Sequence, residues 1–133
     1  MNVAIPVWEG RVSPVFDTAS RLLVFEVEDR LERARFETRL QPDQDLARRC
    51  QFMRDMEIDT LICGAVSGYF HRMLKASGIR VIPWISGSLE EVLEAYLAGD
   101  LFQARFLMPG CARKKRRKGK GRGMGNGNGK PAG

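Results

Sequence analysis

Apolar and polar positions follow two rhythms along the first hundred residues. Val3-Ala4-Ile5-Pro6-Val7 is a short apolar run beside a turn-prone segment and predicts a first strand. Arg21 to Glu28 predicts a second. Ala34, Phe36, Thr38 and Leu40 then alternate with Arg33, Arg35, Glu37 and Arg39, a period of two that predicts a third strand with one solvated face. Glu28-Asp29-Arg30 is the expected turn of an antiparallel hairpin between them. From Asp43 to Glu57 the spacing changes. Leu46, Cys50 and Met53 recur at helical intervals and predict a first helix.

The rest of the chain repeats a strand–helix unit. Thr60-Leu61-Ile62-Cys63 is short and apolar, as expected of a strand covered on both faces. Ser67 opens a helix with Phe70, Met73 and Leu74 on its apolar face, and Gly78 suits its end. Arg80-Val81-Ile82 is another buried strand, stopped by Pro83. Ser88 and Glu91 are spaced as a capping box, Leu89, Val92, Leu93, Tyr96 and Leu97 form one stripe, and Gly99 ends the last helix. The order β-β-β-α-β-α-β-α predicts a three-layer α/β/α sandwich on a mixed, mostly parallel sheet with right-handed crossovers. Ligands of such sheets sit beyond the carboxyl ends of the parallel strands. Here those ends are Val7-Trp8-Glu9-Gly10, Gly64-Ala65-Val66-Ser67 and Pro83-Trp84-Ile85-Ser86-Gly87.

Charge divides the chain in two. Residues 111–133 carry nine Lys/Arg and no acid, whereas residues 1–110 carry thirteen Lys/Arg against sixteen acids. The net +6 is thus a −3 body and a +9 tail. Residues 1–110 suit one compact domain, and 111–133 read as a disordered, glycine-rich basic tail. KKRRK in the tail is suited to weak, nonspecific contact with polyanions or to an acidic partner, but no aromatic residue is interleaved for base stacking. No run of ~18 apolar residues predicts a membrane span. The N-terminus shows no secretory pattern, and three cysteines without a CxxC pair fit a reducing cytoplasm and exclude a closed zinc site.

IPVWEGRVSPVFDTASRLLVFEVED, LICGAVS, SGIRVIPWISGSLEEVLEAYLAGDL and FLMPGC together resemble the dinitrogenase iron–molybdenum cofactor biosynthesis family, over roughly residues 1–111. This small-domain group includes NifX and the C-terminal part of NifB. The resemblance implies an RNase H-like α/β/α fold. It also implies a non-catalytic carrier or accessory role: binding an iron–sulfur or iron–molybdenum cofactor, or its precursor, and serving metallocofactor assembly or acceptor proteins.

Candidate chemistry is sparse. A metal-dependent nuclease needs clustered carboxylates. The first strand has none, Asp59 lies at the wrong strand end, and nothing converges on Asp17. Soft donors for an iron–sulfur group are Cys63, Cys111 and the single histidine, His71. Cys63 reads either as a ligand at a strand end or as a small buried hydrophobe, and Cys50 reads as core. Cys111 is a candidate ligand at the domain edge. His71 lies one turn after Ser67, so the two are candidates for one face. Arg11 and Ser13, in the polar segment Glu9–Asp17, are candidate hydrogen-bond donors to an anionic ligand, or parts of a turn. Trp84, after Pro83, reads either as lining the crevice at those strand ends or as capping the core, and core packing is the expectation. The alternative function is a regulatory or nucleic-acid-associated module acting through the tail.

Overall fold

A computed structural model describes residues 1–41, 45–101 and 106–108. Six strands and three helices run in the order β1 (Asn2–Trp8), β2 (Arg11–Val12), β3 (Arg21–Glu28), β4 (Leu31–Arg39), α1 (Leu46–Asp55), β5 (Thr60–Ile62), α2 (Gly68–Ala76), β6 (Arg80–Ile82) and α3 (Leu89–Ala98). The sheet order is β4-β3-β1-β5-β6, with β2 added beside β1. β1 pairs antiparallel with β3 and parallel with β5, and β5 pairs parallel with β6. The chain is therefore an α/β protein on a mixed sheet. The short β2 is an addition to the sequence reading: Glu9 (φ 51°) and Gly10 (φ 76°) turn the chain sharply enough for Trp8 to pair with Arg11.

Side-chain alternation sorts the core into two halves. Val3, Ile5 and Val7 of β1, Leu23 and Phe25 of β3, Ile62 and Ile82 pack with Leu89, Val92, Leu93 and Ala95 of α3. The intervening residues Ala4, Leu22, Val24 and Leu61 pack with Cys50 and Met53 of α1 and Phe70 and Leu74 of α2. This is the predicted three-layer arrangement. Helix ends follow local chemistry. Asp45, Ser67 and Ser88 each accept a hydrogen bond from a main-chain N–H three residues on. Gly99 closes α3 at φ 82°, a left-handed conformation favoured by glycine.

One expectation changes on β4. Its alternating residues do not bury a face: Ala34 and Phe36 are exposed, Phe36 at 53%. Helices α1 and α2 pack over the centre of the sheet, and among the described residues β4 pairs only with β3. The segments 109–110 and 111–133, including Cys111 and the basic tail, lie outside the described residues, as do 42–44 within the expected first helix.

Candidate functional site

The loops that follow β1, β5 and β6 are joined by main-chain hydrogen bonds into one platform at the carboxyl end of the parallel strands. The Ser13 N–H donates to Pro6 O, Phe16 N–H to Ala65 O, and Ala65 N–H to Pro14 O. On the other side Val12 N–H donates to Gly87 O, Leu89 N–H to Gly10 O, and Trp84 N–H to Gly64 O. Met108 N–H donates to Trp84 O, so residues 106–108 fasten the outer loop. The packing explains Gly64. A Cβ there would lie 2.5 Å from Pro14 O and 2.7 Å from Ser13 O, so only glycine lets the two backbones approach this closely.

Two further residues hold the platform from below. Arg49 of α1 is 1% exposed and donates to the carbonyls of Phe16, Ala19 and Gln41 at 2.8–3.0 Å. Its guanidinium also lies 5.7 Å from the Phe16 ring centroid. Burial lowers its pKa, and the negative field of Asp17 partly opposes this. Asp17 accepts from Ser67 N–H, which ties the same loop to the start of α2. Arg49 lies on the apolar stripe of Leu46, Cys50 and Met53, and that spacing was the available signal for a buried cation. Asp17 offered no comparable signal.

The top of the platform is unusually apolar for an exposed loop surface. Trp8 is 56% exposed at the end of β1, and Trp84 is 41% exposed after β6. Val15 and Tyr69 are exposed on the neighbouring loop and the first turn of α2. Trp84 thus does not cap the core, contrary to expectation: the chain turns outward at φ 67°, a left-handed conformation that disfavours a bulky side chain, and Ile85 takes the inner position. A groove of about 370 Å³ is lined by Trp8, Ser13, Pro14, Val15, Thr18 and Ser20. A cavity of about 380 Å³ opens at the opposite end, near Met1, Arg30, Arg80 and Tyr96. It lies at the amino ends of the parallel strands, beside the β3–β4 turn and the end of α3, whereas ligands of such sheets sit beyond the carboxyl ends, so the groove beside Trp8 is the better site on topological grounds.

The sequence candidates are only partly brought together. Ser13 lines the groove, but it is buried and its hydroxyl donates to Val15 O at 3.4 Å, so it also serves the turn. Arg11 is exposed on β2 beside Ser88, and Ser67 is exposed at the mouth of β5, its Oγ accepting from Phe70 N–H. His71 lies one turn after Ser67 on α2, its N–H donating to Ser67 O at 2.9 Å, and it lines a shallow depression with Lys75, Gly78, Ile79 and Arg80 beside β6. Cys63 is wholly enclosed among Ala4, Phe16, Phe70 and their neighbours. Burial first, and the charge of Asp17 second, push its thiol up to about 12. In this enclosure Cys63 packs as a small hydrophobe, and its thiolate form is disfavoured. Cys50 is likewise buried, and burial raises its thiol despite Arg54.

Among the described residues no three His, Cys, Asp or Glu side chains are grouped to hold a metal ion. The described residues alone therefore do not supply a metal centre ligated by several protein side chains, and Cys111 lies outside them. No helix among these residues is long and apolar enough to cross a membrane.

The fold has close counterparts among solved structures. PH0822 superposes with a TM-score of 0.70 at 18% identity, covering 74% of this chain and 90% of that one. A Thermotoga protein described as a candidate NifB gives 0.61 at 21% identity, over 74% and 89%. The apo form of the orange protein from Desulfovibrio gigas gives 0.59 at 18% identity, over 74% and 88%. No curated protein matches the chain. The family model described as dinitrogenase iron-molybdenum cofactor matches residues 1–99, and the chain belongs to that family.

Proposed function

We propose that the chain is a non-catalytic carrier that holds an iron–sulfur or iron–molybdenum cofactor, or its precursor, as cargo on the loop platform and passes it to an assembly or acceptor protein in the cytoplasm. The observation that carries this reading is the platform itself: a backbone fixed by cross-loop hydrogen bonds that presents Trp8 and Trp84 to solvent, one of them in a strained conformation. Family membership and the NifB-named neighbour support the class of cargo. Metal–sulfur cofactors are anionic and polarisable. The negative charge of such a cargo suits the Arg11 guanidinium and the hydroxyls of Thr18 and Ser67, and its polarisable surface suits the aromatic faces. Holding by outer contacts also leaves the cargo free to depart. Cys111 and His71 are not needed for this mode, and Cys63 is excluded from it by enclosure.

Anaerobic reconstitution tests the reading. The full chain should take up stoichiometric iron and sulfide, turn coloured, and show quenched tryptophan emission. Trp8 and Trp84 are the two tryptophans of the chain, so quenching of the one that remains in each of the single variants Trp8→Phe and Trp84→Phe, at unchanged metal content, would place the cargo beside both rings. A colourless protein that also refuses added cluster ends the proposal.

The basic tail supports a second, separable reading: residues 111–133 contact polyanions or an acidic partner. Full-length protein should then bind DNA or anionic vesicles weakly. Neutralising roughly six phosphates predicts a ~10³-fold loss between 50 and 200 mM salt. Truncation after Cys111 should abolish this binding while leaving cargo uptake and stability intact. Equal salt-sensitive binding by the truncated chain would assign the contact to the body instead.

A further inference from the structure

β4 is nine residues long, forms one edge of the sheet, and among the described residues has no neighbour on its outer side. The direction of its main-chain groups follows from the register with β3. Leu40 N–H donates to Ser20 O, so residues 40 and 20 are a hydrogen-bonded pair, and Arg39 pairs with Arg21 next to them. In an antiparallel ladder such pairs alternate. Ala34, Phe36 and Thr38 therefore point their N–H and C=O groups at β3, whereas Arg35, Glu37 and Arg39 point theirs outward. The ladder is regular from Ala34 to Arg39, and a bulge follows at Arg33.

From this arrangement we infer that the outer edge of β4 pairs with β4 of a second copy, antiparallel, across a two-fold axis at Phe36. The register is set by three independent features. It places Arg35 opposite Glu37 of the second copy, twice, and both residues carry the outward main-chain groups that a hydrogen-bonded pair requires. It places the two Phe36 rings at the non-hydrogen-bonded position between them, where cross-strand side chains come closest, and this ring is exposed in the single chain. It confines the ladder to residues 34–38, inside the regular stretch. A register one residue away would pair residue 35 or residue 37 with its own copy, setting like charges together at the axis.

The charged face favours the same arrangement. Arg35 is already held by Glu32 and by Glu90 of α3 at 2.8 Å, and it stacks over Phe25 at 4.9 Å. Glu37 is paired with Arg21. The side chains are thus held near the sheet rather than sweeping the edge, and pairing would link the two ion-pair groups into one network. A nine-residue edge with an exposed aromatic residue at its centre also offers a row of main-chain groups on which another strand can pair.

Sedimentation equilibrium of the full chain from ~10 to ~300 μM should show a reversible monomer–dimer equilibrium. Phe36→Asp and Glu37→Pro should each weaken it at least ~tenfold. Neither should alter the fold, because Phe36 is exposed and the Glu37 N–H points away from β3. The register is tested by charge exchange. Arg35→Glu puts acids at both 35 and 37, and Glu37→Arg puts bases at both. Each variant alone should be monomeric, and an equimolar mixture should form a one-to-one heterodimer, detected by native mass spectrometry. A parent chain that stays monomeric throughout overturns the inference, as does a dimer unaffected by Phe36→Asp. A mixture that fails to form heterodimers overturns this register.

Discussion

The loop platform at the strand ends and the β3–β4 hairpin both expose aromatic side chains, but on opposite kinds of backbone. On the platform the main chain around Trp8 and Trp84 is tied from loop to loop, as by Trp84 N–H to Gly64 O and Val12 N–H to Gly87 O, and the two rings face solvent. On β4 the inner main-chain groups are tied and the outer ones meet no strand among the described residues, while Arg35 and Glu37 are held in ion pairs. A saturated backbone can recognise a ligand only through side chains, and its rigidity lowers the cost of ordering on binding. A free edge recognises another strand through its main chain. The two regions thus serve different partners: a compact cargo and a second polypeptide.

The comparison rests first on the platform being rigid, and Gly64→Ala is the strongest way to break it. The added Cβ would meet two backbone oxygens at 2.5 and 2.7 Å, which cannot swing aside as a side chain can. A cost of about 3 kcal/mol is expected, or roughly 10–20 °C in Tm for a domain of this size. Circular dichroism melting checks it. A shift of only a degree or two would mean that the loops separate easily. Arg49→Met comes next. It retains length but leaves the carbonyls of Phe16, Ala19 and Gln41 without their donor. About 2 kcal/mol should be lost, with faster amide exchange confined to residues 16–20 and little change in β4. Uniformly accelerated exchange across the sheet would show that Arg49 supports the whole fold rather than the platform.

A smaller effect is expected from pH. Cys63 is neutral in the folded chain up to about 12, whereas an unfolded thiol ionises nearer 9.0. The folded value is raised, so its contribution to stability is complete below the unfolded value and declines as pH climbs from about 9 toward 12. The limiting slope is about 1.4 kcal/mol per pH unit for one thiol. Cys63→Ala should flatten that part of the stability curve, and native protein should resist thiol reagents at Cys63 at pH 8. Rapid native labelling of Cys63 would show that the platform opens and would restore the sulfur as a candidate ligand.

Much of the architecture was legible because it rests on periodicity and caps. The short apolar run in β1, the serines at 67 and 88, and Gly99 are local signals, and each marks an element that formed where it was read. What β4 does with its alternating residues was not local. Phe36 has the right spacing for a core face, yet whether a helix reaches far enough to cover it depends on the width of the sheet. The strand ends named in the sequence do carry the joined loops, but the surroundings of single side chains were not legible there: Cys63, chosen for its sulfur, is enclosed by Phe16 and Phe70, and His71 stands beside β6 with Lys75 and Arg80. Trp84 was read as core because it follows Pro83 and a buried strand. A left-handed turn at one residue reverses that, and only Ile85 after it hints that another apolar side chain fills the inner position.

That turn provides the finest test of the comparison. An L-residue in the left-handed region costs about 1–2 kcal/mol relative to glycine, and Trp84 at φ 67° carries this cost while leaving much of its ring in solvent. If Trp84 served stability, replacing it with glycine would remove packing and lower Tm. If it serves cargo, Trp84→Gly should relieve the strain, leave Tm unchanged or raise it by a few degrees, and weaken uptake of the reconstituted cluster. Trp84→Ala separates the two causes: it loses the ring but keeps part of the backbone strain, so it should match Trp84→Gly in uptake and fall below it in Tm. The hydrogen bonds from Trp84 N–H to Gly64 O and from Met108 N–H to Trp84 O are made by the main chain, so both variants retain them. A drop in Tm for Trp84→Gly with cluster uptake intact would make the exposed ring a structural element, and the platform would lose the side chain that most distinguishes it from the β4 edge.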